Sequence, residues 1–335
     1  MGRGVRHDLI ERFSECFSRK RCATPSSPSD AHRLRAALRS GRIVSPFPQL
    51  YALPEQWSTL DRTTQELYKI RSLALLHPDW TFCDVSAAVI HGLWVSYSLL
   101  DSIHIVTTRR AHSKSNRLLT RHEIASCETQ FVEDVRVTTL ERTTFDCLRR
   151  NSFRKALPIA DSALRVSGKN IDHFIDAFQS FHRKARHHQR ATDIMSFANC
   201  LSESGGESVA RAAMIEQGYM LPTLQVEVPN AVDSGTSYFV DFCWKLSEET
   251  IYGELDGREK YKNPEMTQGR DTANVMADER LRESHISINR IKILRFGYRD
   301  VANVRRFRYL LDTFGVPSGY EIPEIARADD PLNRL

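Results

Sequence analysis

The chain has 335 residues, 41% of them hydrophobic and 27% charged, with a net charge of +5. At roughly 100–200 residues per domain this length predicts two or three globular domains with real cores. No stretch reaches the roughly 20 apolar residues of a membrane span, and the opening MGRGVRHDLIERF breaks its apolar residues with charges. Membrane, secreted and collagenous classes are therefore excluded. Seven scattered cysteines (Cys16, Cys22, Cys83, Cys127, Cys147, Cys200, Cys243), never in a CxxC pair, point to reduced thiols in a cytoplasm.

Charge is unevenly placed. Residues 1–45 hold ten Lys/Arg against four acids, a net of +6, so an anionic partner would meet the N-terminus first. A basic, solvated end that binds nothing is the plain alternative. HDLIERFSECFSRKR predicts an amphipathic helix with Leu9, Ile10, Phe13 and Phe17 near one face. Asp30 is suited to cap a second helix, DAHRLRAALRSG, stopped by Gly41. RIVSPFPQLYALPEQW then alternates like a short hairpin interrupted by Pro46 and Pro48. Helix, helix and small β element is a winged-helix order. Arg33, Arg35, Arg39 and Arg42 stand on or just after the second helix, where a duplex-reading helix carries its cations.

The middle of the chain predicts a helix over 59–76, a small-residue helix DVSAAVIHGLW and a strand SIHIVTT. VEDVRVTTLERTTFDCLRR gives a strand followed by a helix, and helices follow at 154–166, 170–185 and 190–201. Residues 58–200 show no carboxylate or histidine cluster with catalytic spacing. The basic string HRKARHHQR at 182–190 reads as a solvated linker.

The last third reads αβββαβ. Its segments are the helix SGGESVARAAMIEQGYM, the strands LQVEV, SYFVDFCW and TIYGELDG, a helix within 270–284, the strand RIKILRF and a closing helix over 300–314. Alternation puts Glu254 and Asp256 on one strand face and Ile251, Gly253 and Leu255 on the other. Asp241, on the preceding strand, can reach Glu254 across an antiparallel ladder. Converging carboxylates repel unless a cation lies between them, and Mg²⁺, or Mn²⁺, is the natural occupant. The same acids also fit an edge strand facing solvent, with Asp256-Gly257 as turn chemistry. Glu207 follows Ser204 at capping-box spacing and serves either the helix start or the site. Gln225 and Glu227 could extend the site, and Lys260 could bring a positive charge to a phosphate.

SGGESVARAAM, LPTLQVEV, YFVDFCW, GELDGREKY, DERLRESH and RIKILRFGY make residues 201–315 resemble the PD-(D/E)XK nuclease superfamily, in the branch similar to very-short-patch repair endonucleases. That resemblance implies Asp241 and Glu254 as metal ligands and Glu207 as the acid on the first helix; Asp256, on the strand face of Glu254, is expected to join the ion directly or through water. Asp256 stands where the family's lysine would be. GRIVSPFPQLYALP, VSAAVIHGL, IHIVT, VTTLERTTFDCLR and IADSALR make residues 1–200 resemble the AbiEi antitoxins of type IV toxin–antitoxin systems. In that family a winged helix binds promoter DNA and the next domain helps neutralise a nucleotidyltransferase-like toxin.

The resulting expectation is an α+β protein: a winged-helix-like basic domain (1–57), a mostly helical AbiEi-like middle domain (58–200), a restriction-endonuclease-like αβββαβ core (201–320) and a tail (321–335). The leading function is Mg²⁺-dependent hydrolysis of phosphodiester bonds in double-stranded DNA. The alternative is an AbiEi-type antitoxin or transcriptional regulator whose nuclease-like domain is inactive.

Overall fold

The computed structural model describes residues 2–107, 116–124, 127–181, 187–230, 235–256 and 291–327. Lys260, the helix expected within 270–284, residues 182–186 of the basic string and the last eight residues lie outside the described residues. The protein is α+β and divides into two units, Met1–Cys147 with Asp176–Arg183, and Leu148–Ile175 with Lys184–Leu335. Among the described residues no helix is long and apolar enough to cross a membrane.

In the first unit, helices α1 (Gly2–Ser18) and α2 (Pro28–Arg39) precede an antiparallel hairpin of β1 (Val44–Phe47) and β2 (Leu50–Ala52). Helix α2 starts earlier than an Asp30 cap implies. Ser27 is the N-cap, its hydroxyl accepting from the Asp30 amide, and Pro28 takes the first helical position, where no amide donor is needed. Asp30 instead accepts from the Ser26 amide at 3.0 Å and from Arg12 Nη1 at 2.8 Å, which ties α2 to α1. Burial pushes the Asp30 carboxyl up, but these donors outweigh it and hold the group below its ordinary pKa. Phe13, Ala23, Leu34, Ala37, Ile43 and Tyr51 form the local core. Ile10, expected on the buried face of α1, is 48% exposed. Phe13 is buried in that core, and the ring of Phe17, one turn on, meets Tyr68 edge-on.

Helices α3 (Pro54–Thr59), α4 (Arg62–Leu76) and α5 (Asp84–Ile90) follow. Strand β3 (Ile103–Thr107) pairs in parallel with β4 (Leu119–Glu123), and β5 (Thr129–Val132) pairs antiparallel with β6 (Val135–Thr138). The sequence pattern predicts one strand before helix α6 (Leu140–Arg150), whereas the structure has a hairpin there. Glu133 adopts φ 50°, a left-handed turn conformation that periodicity does not encode. Phe82, fully buried, bridges Ile105 of β3 and Val137 of β6, so the chain entering α5 is fixed between two strand pairs.

Helices α7 (Phe153–Ser167), α8 (Ile171–Ser180), α9 (His188–Met195) and α10 (Gly205–Glu216) come next, α8 dividing its residues between the units. The second unit is completed by strands β7 (Thr223–Pro229), β8 (Ser237–Lys245), β9 (Thr250–Asp256) and β10 (Lys292–Gly297), then helices α11 (Tyr298–Ala302) and α12 (Val304–Phe314). The sheet order is β10-β9-β8-β7. The β7–β8–β9 meander is antiparallel and β10 lies parallel to β9. Phe242, Trp244, Ile251, Leu294 and Phe296 turn to one sheet face and pack with Ala210 and Met214 of α10 and Phe307 and Leu311 of α12. The buried Trp244 indole donates to the Met220 carbonyl at 2.8 Å, so its one polar atom is satisfied.

Gly253 is required by this packing. A Cβ there would lie 3.0 Å from both Phe242 Cβ and Trp244 Cζ3. Gly253→Ala should therefore destabilise the protein by about 1–3 kcal/mol, the usual cost of overpacking a close-fitting core. Urea unfolding of the variant checks this, and an unchanged midpoint would contradict the packing account.

Candidate functional site

Asp241 stands on β8, Glu254 and Asp256 on β9 and Glu207 at the start of α10; these four acids do not bring three ligand atoms within 4.8 Å of one another. The antiparallel ladder ends at the pair Phe242 and Gly253, and Asp241, which precedes Phe242, and Glu254, which follows Gly253, flank that pair. Ile251, Gly253 and Leu255 face the core, and pleating turns Glu254 and Asp256 to the opposite face. Glu254 is 8% exposed. Asp241 Oδ2 accepts from the Leu255 amide at 2.8 Å, which fixes that carboxylate against the neighbouring strand.

Glu207 occupies the first turn of α10. Ser204 caps the helix by accepting from the Glu207 amide at 3.2 Å, and its hydroxyl donates to Glu207 Oε1 at 2.8 Å. Glu207 Oε2 accepts from the Glu203 amide at 2.7 Å. The helix start approaches β9 closely, since a Cβ on Gly206 would lie 2.7 Å from Leu255 Cδ2. Burial pushes the Glu207 carboxyl above its ordinary pKa, and the charge of Asp241 pushes the same way against the local donors. Glu207 is thus both a capping residue and part of the electrostatic neighbourhood of Asp241.

Three residues on the two flanking strands complete the surroundings. The β7–β8 ladder pairs Leu224 with Phe242 and Val226 with Val240, and Gln225 between them takes φ 48°. This kink stands across from Asp241, and the buried Gln225 Nε2 has no hydrogen-bond partner. Glu227, further along β7, is exposed and accepts from Ser237 Oγ at 2.6 Å. On the other side, the parallel register sets Arg295 beside Glu254, and Arg295 Nη1 lies 3.6 Å from Asp256 Oδ1. Arg295 was not singled out in the sequence. The alternation of KILRF puts it opposite the buried Leu294 and Phe296, but only the β9–β10 register shows which acids it joins.

In the first unit, Arg33, Arg35, Arg39 and Arg42 are all exposed on or just beyond α2, away from buried Leu34 and Ala37. Arg35 Nε donates to the Ala31 carbonyl of its own helix and Arg42 Nε to Ser40 Oγ.

Residues 58–200, which show no catalytic spacing along the chain, nevertheless bring two histidines and a carboxylate together in space. Asp84, His104 and His122 each bring one ligand atom within 4.8 Å of the others. His104 Nδ1 and His122 Nε2 are 2.9 Å apart, and His122 Nε2 is 3.8 Å from Asp84 Oδ2. The spacings along the chain are long, and the β3–β4 register is what places His104 of β3 near His122 of β4. Compared with known proteins, the chain matches no family model, no curated protein and no solved structure.

Proposed function

We propose that the second unit is a Mg²⁺-dependent DNA endonuclease of the PD-(D/E)XK type, brought to duplex DNA in the cytoplasm by the basic, winged-helix-like N-terminus. The observation that carries this reading is that Asp241 and Glu254 flank Phe242 and Gly253, the last pair of the β8–β9 ladder, with Glu207 coupled electrostatically to Asp241. Asp241 and Glu254 offer hard oxygen donors, the ligand class of Mg²⁺, and the repulsion felt by Glu207 is what a cation there would relieve. When bound by Asp241 and Glu254, with Asp256 directly or through water, the ion supplies an activated water and charge neutralisation at the phosphate.

The remaining roles fall to the chain's own groups. Arg295 offers a fixed positive charge on the face that carries Glu254 and Asp256, in place of the lysine that Asp256 displaces. A guanidinium does not release its proton near neutral pH, so Arg295 orients a phosphate and is not the base. Glu207, with its raised pKa, is suited to accept the proton of the attacking water. The orphaned Nε2 of Gln225 can donate to a phosphate oxygen or to that water. Lys260 is a second candidate cation.

The deciding experiment is plasmid cleavage by the full-length protein with Mg²⁺ or Mn²⁺, beside calorimetric titration with Mn²⁺. Nicking together with stoichiometric binding supports the nuclease. Neither nicking nor binding leaves the antitoxin or regulator reading, whose own test is co-purification of a nucleotidyltransferase-like partner.

For the N-terminus, the combined change of Arg33, Arg35, Arg39 and Arg42 to Ala should weaken duplex binding at least about tenfold, or about 1.4 kcal/mol, at ~100 mM salt. The dependence of affinity on salt should become shallower as phosphate contacts are lost. A gel-shift titration giving equal affinities and equal salt slopes would remove this segment from the DNA interface.

A further inference from the structure

We infer that Asp84, His104 and His122 form a Zn²⁺ site in the first unit, separate from the carboxylates of the second. Metal–ligand bonds of about 2.0–2.1 Å around a tetrahedral ion set the ligand atoms about 3.3 Å apart. The observed separations, 2.9 Å between the two ring nitrogens and 3.8 Å from His122 Nε2 to Asp84 Oδ2, bracket that value. Two imidazoles and one carboxylate are a borderline donor set that prefers Zn²⁺ to Mg²⁺, and a water takes the fourth position.

The surroundings give two of the ligands the outer partners that orient metal ligands. His104 Nε2 lies 3.0 Å from Ser102 Oγ, which is in turn 2.9 Å from Thr120 Oγ1. In the tautomer whose Nε2–H donates to Ser102, His104 Nδ1 presents a lone pair toward His122. Cys147 Sγ donates to Asp84 Oδ1 at 3.4 Å, leaving Oδ2 on the side of the histidines. Asp84 is 3% exposed and holds φ 50°, a conformation Asp tolerates better than most residues. Its backbone is fixed by the chain entering α5, where the Cys83 amide donates to the His104 carbonyl at 3.1 Å, and Ser86 Oγ accepts from the His104 amide at 2.8 Å. The site therefore fastens the start of α5 to β3 and β4. Without a metal, the two facing ring nitrogens must share a proton instead, and that hydrogen-bonded pair is the competing state.

The test is calorimetric titration of the EDTA-stripped full-length protein with Zn²⁺, and with Co²⁺ followed by visible absorption. One equivalent should bind at micromolar affinity or tighter, and Co²⁺ should show the intense bands of a tetrahedral site with nitrogen ligands. His122→Gln should weaken binding by more than about 100-fold and Ser102→Ala by about tenfold, the range for losing an orienting partner. The combined Asp241→Asn and Glu254→Gln variant should bind Zn²⁺ as wild type does, which separates this site from the proposed nuclease centre. Absence of Co²⁺ bands in the wild type overturns the inference even if His122→Gln fails to fold. So does Zn²⁺ binding that survives His122→Gln, or that is lost with Asp241 and Glu254.

Discussion

Replacing Asp241 by Asn, or Glu254 by Gln, should abolish DNA cleavage and tight Mn²⁺ binding while leaving the metal-free protein as stable as wild type or more so. Two adjacent strands each contribute one carboxylate, so either change leaves a single donor in the pair, and a Mg²⁺ with one protein carboxylate stays largely hydrated. Loss of an outer partner of a metal ligand costs about 10–100-fold, and loss of a ligand itself should exceed the upper figure. The expected rise in melting temperature has a separate cause. Asp241 raises the pKa of Glu207, so neutralising Asp241 removes a repulsion the folded apo-protein carries. Asp241→Asn retains an oxygen for the Leu255 amide, which limits the structural loss. The measurement is plasmid nicking and thermal melting of the three proteins side by side. Variants that melt well below wild type and still nick DNA would make these acids structural.

Removing Arg211 should be the most destabilising single change in the second unit, about 3–5 kcal/mol for Arg211→Met, because it leaves the buried Asp161 charge uncompensated. Asp161 is fully buried on α7; its Oδ2 accepts from Arg211 Nη1 at 2.7 Å and its Oδ1 from the Asn199 amide at 2.8 Å. Arg211, on α10, also donates through Nη2 to the Phe197 carbonyl at 2.7 Å. Burial pushes the Asp161 carboxyl up, and Arg211 is the leading influence that opposes it. Without the arginine the folded-state pKa rises further above the unfolded value of about 3.9. Stability is then retained below that value and lost as pH climbs through the folded pKa, so the deficit of Arg211→Met should grow from acidic toward neutral pH. Pairing it with Asp161→Leu should recover much of the loss, since an apolar pair of similar volume carries no desolvation cost. Urea unfolding across that pH range checks both statements. A deficit independent of pH, with no recovery in the double variant, would mean that lost side-chain packing dominates.

The two regions differ in how far the sequence discloses them. The meander β7–β8–β9 was legible because apolar–polar alternation, a short turn after Lys245 and the period of two fix which side chains share a face. The start of α10 was legible from Ser204 and Glu207 alone. Arg295 was not, because parallel pairing joins β10 to β9 across a long stretch of chain and local patterns carry no register for it. The same holds for Asp84, His104 and His122. Each sits in an unremarkable local context, and only the β3–β4 pairing and the bridging Phe82 bring them together. Asp30 misled for a different reason. Ser27, Pro28 and Asp30 are all favourable at a helix start, and which becomes the cap depends on Arg12 and Ser26 claiming the Asp30 carboxylate.

The interleaving of the two units along the chain bears on how the protein emerges during synthesis. The first unit ends at Cys147 and is completed only by Asp176–Arg183, after the second has begun at Leu148. Phe145 illustrates the gap: its ring neighbours Phe178 and Phe181, at 5.4 and 5.3 Å, leave the ribosome more than thirty residues later. Until then Phe145 lacks both of these ring neighbours, and α7, which will serve the C-terminal unit, has already been made. No single cut releases two finished pieces. A break after residue 147 strips the first unit of those phenylalanines, and a break after residue 183 strips the second of α7 and, with it, of Asp161.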